Sequence, residues 1–320
     1  MTRSNRIQRS RVRLLLLPLL FLLLSGPLGA EVVSEESGVL TYRQPDGMEV
    51  RLRKHPKRTV IGFASLAQVW YLAGGEAVGI PLVRSLETLP PAARGLPIIG
   101  QTGNPNTEQI FALEPDLLLL VGKYAKHRAL AESARRAGID AVCLEYGNYH
   151  DFLELLDLFC RLNGRKVDDL PEAKRITSEI EELRRRVEHL PPVRFAALLA
   201  TANGFSLERN GMTVSTMASM LGGRNIVRAP GRERIKFSYE QLLVEDPEVI
   251  FVVTMGDAGT LREKFRAEVM SQPAWQVLSA SKTGRVHFLP PDLFLFQAGS
   301  RYPEAFRLLD RLLHPEEVKR

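Results

Sequence analysis

Residues Asn106–Leu120 read NTEQIFALEPDLLLL, and residues Ser238–Val252 read SYEQLLVEDPEVIFV. At an offset of 132 residues, Glu108-Gln109 aligns with Glu240-Gln241, Pro115 with Pro247 and Asp116 with Glu248. Each copy is an acid–amide pair, a short apolar stretch, an acid–proline–acid turn and an apolar run. Both predict a short helix, a turn and a buried strand. One chain carrying this device twice predicts two halves of similar build.

Around each copy, strand and helix signals alternate. Candidate strands are AVGI (77–80), LLLLVG (117–122), DAVCLEY (140–146), RFAALLAT (194–201), VIFVVTM (249–255) and RVHFL (285–289). TVIGF (59–63) reads as a further buried strand, and SLAQVWYLAGG as a helix closing on Gly74-Gly75. Helix signals fall at 106–113, 126–138, 149–164, 213–223, 238–246 and 300–313. Short, wholly apolar strands between amphipathic helices argue for an α/β fold with mainly parallel sheets covered on both faces. One segment breaks the rhythm. DLPEAKRITSEIEELRRRVEHLPP holds about twenty helical residues, roughly 30 Å of rod at 1.5 Å per residue. Its apolar stripe is thin (Ile176, Ile180, Leu183, Val187), and it stands between the two copies of the repeat, as a strut between lobes would.

Ahead of these elements, VLTYRQPDGMEVRLRKHP reads as a hairpin turning at Pro45-Asp46-Gly47, preceded by a short polar stretch. Residues 1–30 carry five arginines, no acid and an eleven-residue apolar core, Leu14–Leu24. That core is too short to span roughly 30 Å of hydrocarbon, so the leader predicts a cleaved secretory signal ending at Ala30. No cysteine lies near the cut, so no lipid anchor is expected. Without those arginines the formal charge of +6 falls to about +1, which removes the main support for nucleic-acid binding. Two cysteines occur, Cys143 in a predicted strand and Cys160 in the following helix. A bridge between them would sit at the upper limit of disulfide geometry, about 7 Å between Cα atoms, so both a bridge and two buried thiols stay open. The expected division is signal 1–30, N-terminal arm and hairpin 31–57, first lobe 58–166, interlobe helix 167–190 and second lobe 191–320.

With these pieces in order, the chain resembles the bilobal substrate-binding proteins of ABC importers for ferric siderophores, haem and cobalamin. The resemblance runs over nearly all of residues 45–315. It rests on PKRTVIGFASLAQVWYLAGGEAVGI, EQIFALEPDLLLL and GIDAVCLEY in the first half. In the second it rests on TVSTMASMLGGRNI, SYEQLLVEDPEVIFVV and GRVHFLPPDLFLFQAGSRYPEAFRLLDRLLHPE. It implies the helical-backbone, class III-type fold: two α/β lobes joined by one long rigid helix. It also implies that Glu108 and Glu240 are rim carboxylates that dock, one per subunit, on an ABC permease dimer served by its ATPase. A pseudo-symmetric pair of acids suits a two-fold partner. The structural alternative is that Glu-Gln merely opens a helix, where an acid suits the dipole.

Ligand contacts are expected between lobes, on loops after the strands. The candidates are Phe63, Ser65, Gln101, Asn104, Lys123, Tyr124 and Tyr146 from the first half. From the second they are Asn203, Phe205, Lys236, Met255, Asp292 and Phe294. Tyr124 and Phe294 rank first, since each follows an apolar strand directly. The aromatics suit a bulky chelate, and the amides and lysines its polar edge. The six histidines form no close pair, and no HExxH occurs, so a bare metal ion has no cluster of ligands at metal-binding spacing. A whole ferric siderophore or corrinoid is preferred as cargo, haem stays possible, and no resident cofactor is expected. The chain is expected to be a periplasmic monomer. Two alternatives stand beside this: a bilobal sensor or partner module without a transporter, and an exported hydrolase. Against the latter, GxSxG, P-loop and GxGxxG motifs are missing from any usable context.

Overall fold

The structure is a computed structural model that describes residues 30–83 and 85–315. The leader expected at residues 1–30 lies outside the described residues, apart from Ala30. The chain opens with β1 Glu31–Glu36, β2 Val39–Arg43 and β3 Glu49–Arg53, which pair antiparallel in that order. The first half then runs β4 Thr59–Ile61, α1 Ala64–Leu72, β5 Ile80–Leu82, β6 Ile98–Gln101, β7 Asn104–Pro105, α2 Thr107–Ala112, β8 Leu117–Val121, α3 Ala125–Arg136, β9 Asp140–Leu144 and α4 Tyr149–Leu162. Next comes α5, Pro171–Val187. The second half runs β10 Val193–Thr201, β11 Gly204–Leu207, α6 Thr213–Met220, β12 Gly223–Asn225, β13 Ile235–Lys236, α7 Tyr239–Glu245, β14 Val249–Met255, α8 Ala258–Phe265, α9 Pro273–Gln276, α10 Ser279–Lys282, β15 Val286–Leu289, α11 Pro291–Phe294 and α12 Tyr302–Leu313.

The expected α/β class holds. Strands β4, β8 and β9 pair in parallel, and a parallel bridge from Val60 to Gly79 leads on toward β5 and β6. In the second half β10, β14 and β15 are parallel, with β11 and β13 antiparallel at one edge. The period-two alternation of each strand divides its side chains between two faces. In the first sheet Val60, Leu118, Leu120, Ala141 and Cys143 face outward and are covered by α3 through Leu130, Ala131 and Ala134. In the second, Ala196, Leu198, Ala200, Ile250 and Val252 are covered by Phe265, Trp275 and Leu242. The opposite faces (Ile61, Leu119, Val142; Phe195, Phe251, Val253) feed one continuous core.

That shared core is what the sequence did not announce. Helix α12 lies along α5, with Arg307 paired to Glu179 and Arg186 to Asp310. Its Tyr302 and Phe306 rings then reach the first half, 4.9 and 5.0 Å from the ring of Tyr149 on α4. The strut is therefore doubled. Helix α5 itself is 17 residues, about 26 Å at 1.5 Å per residue, and buries Ile176, Ile180 and Val187 with Leu183 half-buried. Two braced helices over a common core resist hinge bending between the halves.

Several expectations need correction. The polar stretch Glu31–Glu36 is a strand: its backbone pairs with β2 while its side chains stay largely exposed, so it shows no apolar alternation. The segment 258–282, given no helix in the sequence reading, is largely helical. The cysteines are unbridged: Cys143 belongs to the outward face under α3, whereas Cys160 points into the shared core.

Candidate functional site

The repeated device is built alike in both halves, down to single hydrogen bonds. Asn106 caps α2 by accepting from the Gln109 N–H at 3.1 Å, and Ser238 caps α7 by accepting from the Gln241 N–H at 3.2 Å. Ile110 and Leu242, the next apolar residues, are fully buried and anchor the two helices. Both helices end on a non-glycine residue with left-handed backbone immediately before the proline, Glu114 at φ 46° and Asp246 at φ 40°. A residue before proline is disfavoured in right-handed helical backbone, and the left-handed cap is the remaining way to turn sharply.

The acid after each proline then does a second task. Asp116 accepts the N–H of Arg58 at 2.9 Å, and Glu248 accepts the N–H of Arg194 at 2.9 Å. Each arginine in turn donates to carbonyls at the helix end, Arg58 to Leu113 and Glu114, Arg194 to Asp246. The pairs occupy equivalent register positions, one residue before Thr59–Leu117 and before Phe195–Val249. Arg58 and Arg194 were missed in the sequence. Their only local sign is a basic residue at the mouth of an apolar strand.

This clamp fixes where the glutamates point. Helix α2 follows the short antiparallel return strand β7 and α7 follows β13, and each leads directly into a parallel strand, β8 or β14. Glu108 and Glu240 sit in the first turns of α2 and α7, exposed, and neither is in an ion pair among the described residues.

Of the expected ligand contacts, the structure brings three together. Lys123 places its ammonium 5.0 Å from the ring centroid of Phe63 and 5.1 Å from that of Tyr124. Phe63 precedes α1 and Tyr124 precedes α3, both at the carboxyl ends of neighbouring parallel strands. Ser65 is half-buried in the first turn of α1. Gln101 and Asn104, paired at the facing ends of β6 and β7, are exposed nearby, and the Asn104 Oδ1 accepts from Lys126 at 2.5 Å. In the second half Asn203 and Met255 lie at adjoining strand ends, since Thr201 pairs with Met255, and both are exposed. Lys236 is exposed on β13. Asp292 is exposed too, but bonded to Arg301 at 2.7 Å.

Two of the expected aromatics are core residues instead. Phe294, the last residue of α11, is 1 % exposed and belongs to the shared core. Tyr146 is buried among the same residues, and burial pushes its phenol far above the ordinary tyrosine range. Phe205 packs edge-on against Phe265 and Phe237 on the outward face of the second sheet. An aromatic after or beside a strand has the right place for a groove, but the strand's phase decides its direction. Phe296, which the sequence reading passed over, is 59 % exposed in the segment after α11. The 3-10 turn that follows, Gly299–Arg301, approaches α1 so closely that a Cβ on Gly299 would meet the Gln68 Oε1 at 1.9 Å.

The loop framework is held by a buried histidine. His127 accepts the Val121 N–H at Nδ1 (3.0 Å), which leaves Nε2 to donate to the Thr102 carbonyl at 2.6 Å. It thus ties the end of β8 to the β6–β7 turn, and a Cβ on Gly62 would strike its ring at 3.0 Å. Burial holds its pKa below the ordinary histidine value, aided by the Lys123 charge. A depressed histidine stabilises the fold fully above the unfolded value, about 6.5, and less as pH falls, since only the unfolded chain then takes the proton. The stability gap between wild type and His127→Gln is therefore expected to narrow on acidification from about pH 7.5 to 5.5, by at most about 1.4 kcal/mol per pH unit. Urea unfolding at both pH values measures it; a constant gap would mean that the ring accepts a proton in place.

The two halves meet at a polar seam beside these loops. Asp151 on α4 receives Arg232 at 2.6 and 2.7 Å and caps its own helix through the Gly147 and Asn148 N–H groups. Asn148 donates to the Gly211 carbonyl at 2.8 Å, and Thr213 to that of Gly147 at 2.9 Å. Two concavities, of 270 and 180 Å³, lie elsewhere, one between α5 and α12 and one beside β3. Among the described residues, no group of three or more His, Cys, Asp or Glu could hold a metal ion, and no helix is long and apolar enough to cross a membrane.

Comparison with known proteins gives concordant findings. A family profile described as periplasmic binding protein matches residues 60–293. The high-affinity haem uptake system protein IsdE of Staphylococcus aureus is 20% identical over 224 residues, covering 67% of this chain and 74% of that protein. Among solved structures, an ABC transporter substrate-binding protein from Listeria monocytogenes superposes with a TM-score of 0.70 at 20% identity, covering 82% of this chain and all of that one. The periplasmic vitamin B12 binding protein BtuF of Vibrio cholerae superposes with a TM-score of 0.63 at 22% identity, covering 82% and 98%.

Proposed function

Because the chain belongs to the periplasmic binding protein family, we propose that it is the solute-binding component of an ABC importer. In this reading it captures a metal chelate between its halves, a ferric siderophore, a cobalamin-like corrinoid or haem, and delivers it to a membrane permease. The observation that carries the reading is the pair of exposed glutamates. Two copies of one capped helix, clamped by the same arginine device, present Glu108 and Glu240 exposed in their first turns, one in each half. A surface acid is common; the same acid, repeated with its whole support, suits a partner with two equivalent sites.

The cargo is held by shape, aromatic contact and hydrogen bonds rather than by direct ligation, and the site residues form the walls through Phe63, Lys123, Tyr124, Asn203 and Met255. The lobes are taken as 58–166 and 191–320 around the helix at 167–190, behind a cleaved leader that places the monomer in the periplasm. Purification from its own host followed by native mass spectrometry and visible absorption tests the reading. A bound mass with the spectrum of an iron or cobalt chelate is the expected result. A protein that arrives empty and binds neither ferric siderophore, cobalamin nor haem would sink it.

A further inference from the structure

We propose that the strand-end loops take a ligand that combines aromatic rings with a negatively charged edge, and that Lys123, its ammonium set over the rings of Phe63 and Tyr124, meets that charge. The inference rests on the binding-protein reading and narrows it to one ligand class.

The reason lies in how the cations at the strand ends and the seam are employed. Arg232 is taken up by Asp151, Arg234 by Glu208 and Arg301 by Asp292 and Glu304. Lys126 is occupied by the Asn104 amide oxygen. Lys123 is held in a different way: its ammonium lies at nearly equal distance from two ring faces, and no carboxylate pairs with it among the described residues. A ring face attracts a cation without neutralising it. The charge is thus oriented by the two rings, and because Lys123 is exposed its remaining directions stay open to an anion.

No carboxylate forms an ion pair with it among the described residues: Glu145 is drawn to Arg232, 3.8 Å away, and Asp292 to Arg301. The half-buried rings of Phe63 and Tyr124 leave aromatic surface beside the charge. Across the seam, Arg209 has a buried Nε without a hydrogen-bond partner, two residues from the Gly211 carbonyl that Asn148 holds. The frame is rigid: the Tyr124 ring lies 5.2 Å from the His127 ring, which is itself pinned at both nitrogens. An aromatic anion satisfies rings and ammonium together. A neutral or cationic chelate would leave the ammonium unpaired.

Two chemistries share these features, a ferric tris-catecholate and a ferric porphyrin dicarboxylate, and titration calorimetry on the mature chain separates them. The probes are one of each, with a cationic ferric trihydroxamate and cyanocobalamin as controls. At least one anionic probe is expected to bind roughly tenfold or more tightly than either control, to lose roughly tenfold in Lys123→Gln, and to regain most of it in Lys123→Arg. Its affinity should also fall with added salt. Equal binding of a control, or no effect of Lys123→Gln, overturns this inference and leaves the chelate-binding reading intact. Failure of all four probes overturns that reading, and the inference with it.

Discussion

Replacing Glu108 and Glu240 together by alanine is expected to cut ligand uptake by roughly 100-fold while leaving affinity for the ligand in solution within roughly twofold. Both side chains are exposed in helix first turns, and the helices that carry them are secured by other groups: the Asn106 and Ser238 caps, the buried Ile110 and Leu242, and the Arg58 and Arg194 clamps. The substitutions therefore remove charge without loosening the fold. Each single variant should lose about tenfold, some 1.4 kcal/mol, and the losses should add because the two sites share no partner. Uptake by the reconstituted permease, measured beside calorimetric ligand binding, gives both readouts. Loss of ligand binding would move the glutamates into the groove; unchanged uptake would leave them as helix-opening acids and nothing more.

Phe306→Ala is expected to destabilise the whole protein by about 3–5 kcal/mol, because a fully buried ring leaves a cavity that rigid neighbours cannot fill. Phe306 packs 5.0 Å from Tyr149, and its helix lies along the strut, so the lost contacts belong to both halves at once. The variant should unfold in one transition at lower denaturant, with both halves following it. Trp70, buried in the first half, and Trp275, in the outward layer of the second, report on each by fluorescence. Two separated transitions would show that the halves fold independently and that the shared core couples them weakly.

The legibility of this fold was uneven, for identifiable reasons. Helices with strong periodicity, such as those at 149–162 and 302–313, showed themselves through their buried stripes. β1 did not, since a strand held by backbone pairing with exposed side chains on both faces needs no apolar alternation. In the candidate site, Phe63, Lys123 and Tyr124 were legible because loops that follow parallel strands converge on one edge of a sheet. Phe294 and Tyr146 came from the same rule and are core residues. His127 gave no sign in its helix beyond an ordinary polar residue, although it ties two loops together.

From the sequence alone came the alternation of strands and helices, the doubled capped helix with its proline stop, and the charged helix between the two copies. These are local patterns, set by the periods of strand and helix and by the backbone limits of proline. Tertiary structure alone decided that the two halves share one core, that Tyr302 and Phe306 reach back to Tyr149, and which aromatic rings face outward. Such choices depend on contacts between residues far apart in the chain, where burial rewards whichever face another element happens to cover.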